Sequence, residues 1–125
     1  MENELLKSVH KIYDTEGLGG VYAADDVFVT VVGMATTDVE GLLGLSDLNT
    51  GELCTRPTVK NLSKCIRFDF SDNQITVLIG VIMVSGSNLL SVSSVIQNKV
   101  FTAVKDIVGC EINKVNIQIS DVRTK

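Results

Sequence analysis

The sequence is poor in the residues on which most active sites depend. It contains no tryptophan, one proline, one histidine and three cysteines among 125 residues. His10 has no serine or cysteine beside it for which it could act as a base, so we expect a solvated residue. The cysteines, Cys54, Cys65 and Cys110, form no C-x-x-C pair, whereas a zinc site needs about four ligands. We therefore predict reduced thiols, no metal, no cofactor and no enzymatic activity.

Long apolar segments are also missing. The longest mainly apolar run, residues 75–84, is far shorter than the about 20 residues that a membrane-spanning helix requires. The first four residues, Met-Glu-Asn-Glu, lack the basic and apolar regions of a secretory signal. The hydrophobic content of 45% and the charged content of 21% are typical of a globular chain. We expect a cytoplasmic protein without direct membrane insertion.

An excess of basic residues is absent, which disfavours nucleic-acid binding as a class. Eleven Lys and Arg residues stand against fifteen Asp and Glu, for a net charge of −4. Residues 53–68 nevertheless carry four bases and no acid. This basic cluster comprises Arg56, Lys60, Lys64 and Arg67. It is either a solvated loop that balances the acidic first half, which we favour, or a contact for an anionic partner or membrane surface.

The first half of the chain predicts two helices separated by a glycine-rich break. An amphipathic helix is indicated near the start, and it would dock on its own domain or on a partner. Its apolar positions are Leu5, Leu6, Val9, Ile12 and Tyr13. A short strand is predicted at residues 21–23. A helix over residues 27–39 follows, with Asp25 or Asp26 as its cap and Gly41 as its stop.

Residues 42–62 carry several turn signals and the only proline, so they predict an irregular loop that is mobile or functional.

The second half predicts a hairpin, a helix and a final strand. Residues 66–70 and 75–84 alternate as strands around an Asp72-Asn73 turn, which places Ile66, Phe68 and Phe70 opposite Ile79, Val77 and Ile75 on one core face. Residues 85–88 offer caps for a helix that ends at Gly109. Its predicted buried face is Val92, Val95, Ile96, Val100, Ala103, Val104 and Ile107. A last strand is expected at residues 115–119.

Together these elements predict an α+β fold, a β-α-β-β-α-β two-layer sandwich. The four-stranded mixed sheet would carry two helices on one face, preceded by the N-terminal amphipathic helix. Residues 75–84 are apolar on both faces, so Leu78, Ile82 and Val84 need a cover on the second face. We expect either the N-terminal helix or a second chain to supply it. Leu78 and Ile82 therefore join the basic cluster as candidate partner contacts.

Two RNA-binding patterns serve as the alternative hypothesis. Residues 17–20 match the G-x-x-G loop of KH domains, although basic flanks are missing. The element order is also that of RRM domains, but Phe68 and Phe70 are predicted on the core face rather than on an exposed stacking surface. A small RNA-binding domain is thus the less favoured function.

Several segments resemble the alkaline shock protein family, also called envelope stress response proteins of Gram-positive bacteria. The similar pieces are residues 20–22, residues 38–45 (Asp-Val-Glu-Gly-Leu-Leu-Gly-Leu), residues 96–100, residues 108–109 and residues 114–117, in the family's order. The resemblance covers about residues 19–121. It divides the chain into an N-terminal helix and linker, residues 1–18, and an alkaline-shock-like domain, residues 19–122.

The resemblance implies a non-catalytic cytoplasmic protein linked to cell-envelope stress and general stress. Family members act through protein–protein contacts, tend to self-associate into homo-oligomers, and in some cases are held at the membrane by an anchor protein. We therefore expect a protein partner, such as a membrane anchor, and a location peripheral to the membrane through that partner. A ligand-binding or allosteric subunit for lipid metabolism is a third hypothesis.

Overall fold

The sheet is organised around one long strand, β5. In the computed structural model, which describes residues 9–15, 17–71 and 74–124, β5 (Gln74–Val84) pairs with three other strands. β3 (Leu42–Leu45) and β4 (Ile66–Ser71) lie along β5 in antiparallel orientation, and β6 (Lys114–Arg123) pairs with it in parallel. The predicted α+β class and the mixed four-stranded sheet are confirmed.

Three α-helices and a separate two-stranded sheet complete the described part of the chain. The small sheet pairs β1 (Val9–Thr15) with β2 (Gly19–Ala24) in antiparallel orientation. The helices are α1 (Asp25–Ala35), α2 (Val59–Cys65) and α3 (Leu89–Ala103), and α3 continues as a π-helical turn over Val104–Val108. Helices α1 and α3 pack against each other over the core face of the sheet.

The hairpin of β4 and β5 has the predicted register. Phe70 lies opposite Ile75, Phe68 opposite Val77, and Ile66 opposite Ile79. The predicted turn residues, 72 and 73, lie outside the described residues. Phe68 and Phe70 face the core, where their rings lie 5.4 and 5.3 Å from the ring of buried Phe28 on α1.

Both large helices begin near the predicted positions, but α1 ends at Ala35, so the predicted end at residue 39 with Gly41 as the stop is wrong. The hydroxyls of Thr36 and Thr37 donate to the Gly33 carbonyl and end the helix earlier. Helix α1 has Ala24 as its N-cap, so the cap prediction is wrong in detail; Asp25 and Asp26 lie in the first turn instead. In the first turn, their negative charges interact favourably with the positive end of the helix dipole. At α3, the Asn88 side chain accepts a hydrogen bond of 3.0 Å from the Ser91 amide, and Gly109 ends the π-helical turn with φ +89°.

The N-terminal helix prediction is wrong where the structure describes the chain. Residues 9–13 belong to β1 rather than to a helix, and residues 1–8 lie outside the described residues. Antiparallel pairing with β2 outweighs the helical spacing of the apolar residues. A short amphipathic segment has little helical stability of its own. Ile12 packs against the main core and not against the second face of the sheet.

The irregular-loop prediction for residues 42–62 is also wrong in part. Residues 42–45 form β3, which takes the place in the main sheet that we expected for residues 21–23. Residues 59–65 form α2. Between them the chain makes an isolated bridge from Ser46 to Leu53. These elements are too short for periodicity to show, so tertiary pairing determines them.

The second face of the sheet is covered by the segment between β3 and α2. The Ser46 amide donates to the Gly80 carbonyl of β5 at 2.9 Å, and a Cβ at Gly80 would collide with the Ser46 carbonyl oxygen. Only glycine permits this approach. Leu48 lies over the same position, and Ile82 is fully buried. The predicted need for an external cover over Ile82 is therefore incorrect.

Two residues of α3 and its π-helical extension are exposed although they were predicted to be buried. Val95 and Ile107 were predicted on the buried face, but they are 45% and 62% exposed. Ile107 lies in the π-helical turn, whose i→i+5 bonding changes the angular position of each side chain. Val108 is buried in its place, and Val104 is buried as predicted.

Candidate contact surface

Helix α2 carries two of the four residues of the basic cluster on its exposed side. Leu62 and Cys65 are buried, and Leu62 packs against Gly33 of α1. Lys60 and Lys64 are exposed. Because residues four apart share one face of a helix, the two lysines project from the same side.

The turn before α2 fixes the entry of the helix. The Thr58 side chain is its N-cap and accepts a hydrogen bond of 3.3 Å from the Asn61 amide. The Arg56 carbonyl accepts two hydrogen bonds, from the Asn61 side-chain amide at 3.0 Å and from the Cys54 thiol at 3.2 Å. The Arg56 backbone is therefore held while its side chain is exposed.

All four predicted basic residues lie on this short stretch and are exposed. Arg56 precedes α2, Lys60 and Lys64 lie on it, and Arg67 follows on β4. No carboxylate in the described ranges forms a salt bridge with any of the four within 4.0 Å. The cluster is a local positive surface on a chain of net charge −4.

Lys64 of the basic cluster acts on one acid in the neighbouring loop, Asp47. Its carboxylate accepts hydrogen bonds from the amides of Thr50 and Asn49, at 3.1 and 2.8 Å. These two bonds, with the Lys64 charge adding to them, hold the pKa of Asp47 below its usual value. The aspartate is therefore ionised at neutral pH, and its carboxylate stabilises the turn through the amides of Asn49 and Thr50.

The two predicted apolar contact residues behave differently. Leu78 is half-buried and lies directly opposite Arg67 across the β4–β5 pair, so both belong to the second face of the sheet. Ile82 is fully buried and is not accessible to a partner. The structure thus brings Leu78 to the basic cluster and removes Ile82 from it.

A cleft of about 160 Å³ adjoins the basic cluster. Both Cys54 and Cys65 line it, together with Asp47, Glu52 and Lys64. Within residues 9–15, 17–71 and 74–124, no group of three or more His, Cys, Asp or Glu side chains could hold a metal ion. Sequence reasoning missed this pairing of thiols, because Cys54 lies on a loop whose path no periodic pattern reveals.

Sequence reasoning also missed apolar side chains on the outer side of the helical layer. Met34 of α1 is 65% exposed, and Phe101 and Ile107 of the α3 segment are 39% and 62% exposed. The signal was present in the sequence, because both helices are apolar around much of their circumference. No helix in the described part of the chain is long and apolar enough to cross a membrane.

Comparison with known proteins identifies the family of this chain. Residues 13–124 match a protein family with a cell envelope-related function, the alkaline shock protein family. The uncharacterised protein YqhY of Bacillus subtilis (strain 168) is 25% identical over 122 residues, which cover 98% of this chain and 88% of the relative. No solved structure matches the chain significantly. Since the family match covers nearly all of the sequence, the chain belongs to the alkaline shock protein family, whose function is related to the cell envelope.

Proposed function

We propose that this protein is a non-enzymatic, cytoplasmic contact protein of the cell-envelope stress response, which binds an acidic segment of a partner protein and self-associates. Family membership supports the connection to the envelope. The observation that carries the contact is the basic cluster, which is exposed and unmatched by carboxylates of the described residues.

The basic cluster provides both charge and an apolar anchor. Four exposed ion pairs contribute roughly 0.2–1 kcal/mol each, so charge alone gives weak and salt-sensitive binding. Half-buried Leu78 lies beside Arg67, and half-buried Leu48 lies on the same face of the sheet. An acidic peptide that carries one apolar side chain fits this surface best, because the apolar group adds the affinity that the charges lack.

RNA binding is less favoured by the same geometry. Residues 17–20 connect β1 and β2, whereas a KH loop joins two helices. Phe68 and Phe70 pack on Phe28 in the core, so they offer no stacking platform to a base. The basic cluster contains no aromatic side chain, so it lacks the stacking platform that proteins use to bind single-stranded bases.

Self-association is supported by the outer side of the helical layer. Met34, Phe101 and Ile107 expose large apolar groups there, and exposed apolar surface on adjacent helices favours association. Homo-oligomers built through this layer would leave the basic cluster free for a second partner.

A pull-down from cell lysate tests the proposal when nuclease-treated and untreated samples are compared. The double substitution Lys60→Glu and Lys64→Glu should remove a protein partner that survives nuclease. The matched control, Lys99→Glu with Lys114→Glu, alters the net charge equally at exposed sites outside the cluster and should retain it. Loss of all partners on nuclease treatment would contradict the proposal in favour of RNA binding. Turnover of a substrate that one polar substitution abolishes would contradict the non-enzymatic assignment.

A further inference from the structure

Cys54 and Cys65 come from different elements and meet in one place. Cys54 lies on the segment that covers the second face of the sheet, where its amide donates to the Leu45 carbonyl at 2.8 Å. Cys65 is the last residue of α2. Both line the same cleft. Cys110, which follows the π-helical turn, does not line this cleft.

The two thiols differ in their access to solvent. Cys54 is half-buried, and its Sγ donates to the Arg56 carbonyl at 3.2 Å. Cys65 is only 2% exposed, and its Sγ donates to the Asn61 carbonyl at 3.4 Å. Burial, then the neighbouring Cys54, raise the pKa of Cys65 to about 12. Cys54 is therefore the thiol that meets a reagent first, and Cys65 is held beside it in the protonated form.

We propose that Cys54 and Cys65 are a redox modification site that closes a reversible intramolecular disulfide, with a low-molecular-weight disulfide as oxidant. The Cys54 thiolate attacks one sulfur of the small disulfide, which breaks its S–S bond, forms a mixed disulfide and releases one small thiolate. Cys65 then loses its proton, and its sulfur attacks Sγ of Cys54, which releases the second small thiol. The protein loses two protons and two electrons, and the small disulfide is reduced to two thiols.

The bond would join the covering segment covalently to α2. Disulfide formation brings the two sulfurs to about 2.05 Å, so both thiols give up their carbonyl partners at Arg56 and Asn61. Those contacts fix the turn that positions Arg56 ahead of α2. Oxidation therefore affects the segment that carries the basic cluster. The proposed disulfide does not depend on whether that cluster binds a partner.

Mass spectrometry of the full-length chain tests the site. The reduced protein is incubated with oxidised glutathione, and remaining thiols are alkylated with N-ethylmaleimide. We expect one alkylated cysteine, Cys110, and the loss of two hydrogen atoms from the chain. Trypsin does not cut the bond between Arg56 and Pro57, so the link should appear between peptides 12–60 and 65–67.

Variants and an unfolded control separate this pair from random oxidation. Cys110→Ser should retain the disulfide, whereas Cys54→Ser and Cys65→Ser should each abolish it. In concentrated urea the native pairing should lose its selectivity, and links to Cys110 should appear. Three alkylated thiols after oxidation of the folded chain, or a link through Cys110 as its main product, would overturn the proposal. The oxidation is repeated with diamide in place of oxidised glutathione. If three alkylated thiols remain with diamide as well, exclusion of glutathione from the cleft does not explain the missing disulfide.

Discussion

The two faces of the central sheet are closed by different means. On one face, the side chains of Val77, Ile79, Val81 and Met83 are fully buried beneath the residues of α1 and α3. On the other face, the segment between β3 and α2 lies on the sheet through close backbone contact at Gly80 and a hydrogen bond of 2.8 Å between the hydroxyls of Ser46 and Ser120. One face is closed by apolar packing, and the other by a polar segment.

This difference places the main source of stability and the proposed partner contact in different parts of one small chain. Apolar burial contributes about 25 cal/mol per Å², so the helix-covered face supplies most of the stability. The covering segment contributes Cys54 to the cleft that it shares with Cys65, and this cleft adjoins the basic cluster. A covering segment can adjust its backbone at lower cost than a packed helix can, which suits a surface that meets partners.

The largest expected effect comes from the helix-covered face. Phe28→Ala should lower the free energy of unfolding by about 3–5 kcal/mol, because it leaves a cavity against Phe68 and Phe70. Leu78→Ala on the other face should cost about 1 kcal/mol or less, since Leu78 is only half-buried. Urea denaturation measures both. Equal losses would show that the two faces contribute alike.

Gly80→Ala tests the close approach of the covering segment. The new methyl group would collide with the Ser46 backbone, which cannot rotate away, so we expect a loss of about 1–3 kcal/mol. Gly33→Ala is the control. There the methyl group meets the flexible end of the Leu62 side chain, and the gain in helix propensity of about 1 kcal/mol offsets the contact. Similar thermal unfolding midpoints for the two variants would contradict the close approach.

The buried hydroxyl pair gives a smaller effect. Ser46 is fully buried, so Ser46→Ala should cost about 1 kcal/mol through the lost hydrogen bond to Ser120. The double variant with Ser120→Ala should cost little more than the single one, because the partner is no longer left unsatisfied. Additive losses in a double-mutant cycle would show that the two hydroxyls act independently.

The helix-covered face was largely predictable from the sequence. The Phe68–Val77 register follows from strict alternation on both strands, and the long helix follows from Asn88, its spacing and Gly109. Such signals extend over many residues and reinforce one another. The exposed position of Ile107 escaped prediction, because a π-helical turn changes the angular period without a clear mark in the sequence.

The segment-covered face was not predictable to the same degree. Strand β3 has four residues and α2 has seven, which is too short for a periodic pattern. Gly80 hinted at a close backbone approach, but nothing in the sequence named Ser46 as its neighbour. The basic cluster was found from charge alone, whereas the shared cleft of Cys54 and Cys65 depends on the path of the covering segment.

The smallest effect on stability concerns the basic cluster itself. Lys60 is the second residue of α2, near the positive end of the helix dipole, and it shares a face with Lys64 four residues later. Both arrangements are unfavourable by a few tenths of a kcal/mol. Lys60→Glu should therefore raise the free energy of unfolding by about 0.5 kcal/mol, because it reverses the dipole interaction and creates an attractive pair with Lys64.

The same substitution should weaken capture of the protein partner, so stability and binding would change in opposite directions. Lys99→Glu, in the middle of α3, is the control and should alter neither by a measurable amount. Urea denaturation and the nuclease-treated pull-down provide the two readouts. A gain in stability together with a loss of partner capture would indicate that Lys60 serves contact rather than folding. If Lys60→Glu instead lowered stability and left binding intact, the lysine would serve the fold, and the basic cluster would lose its proposed role.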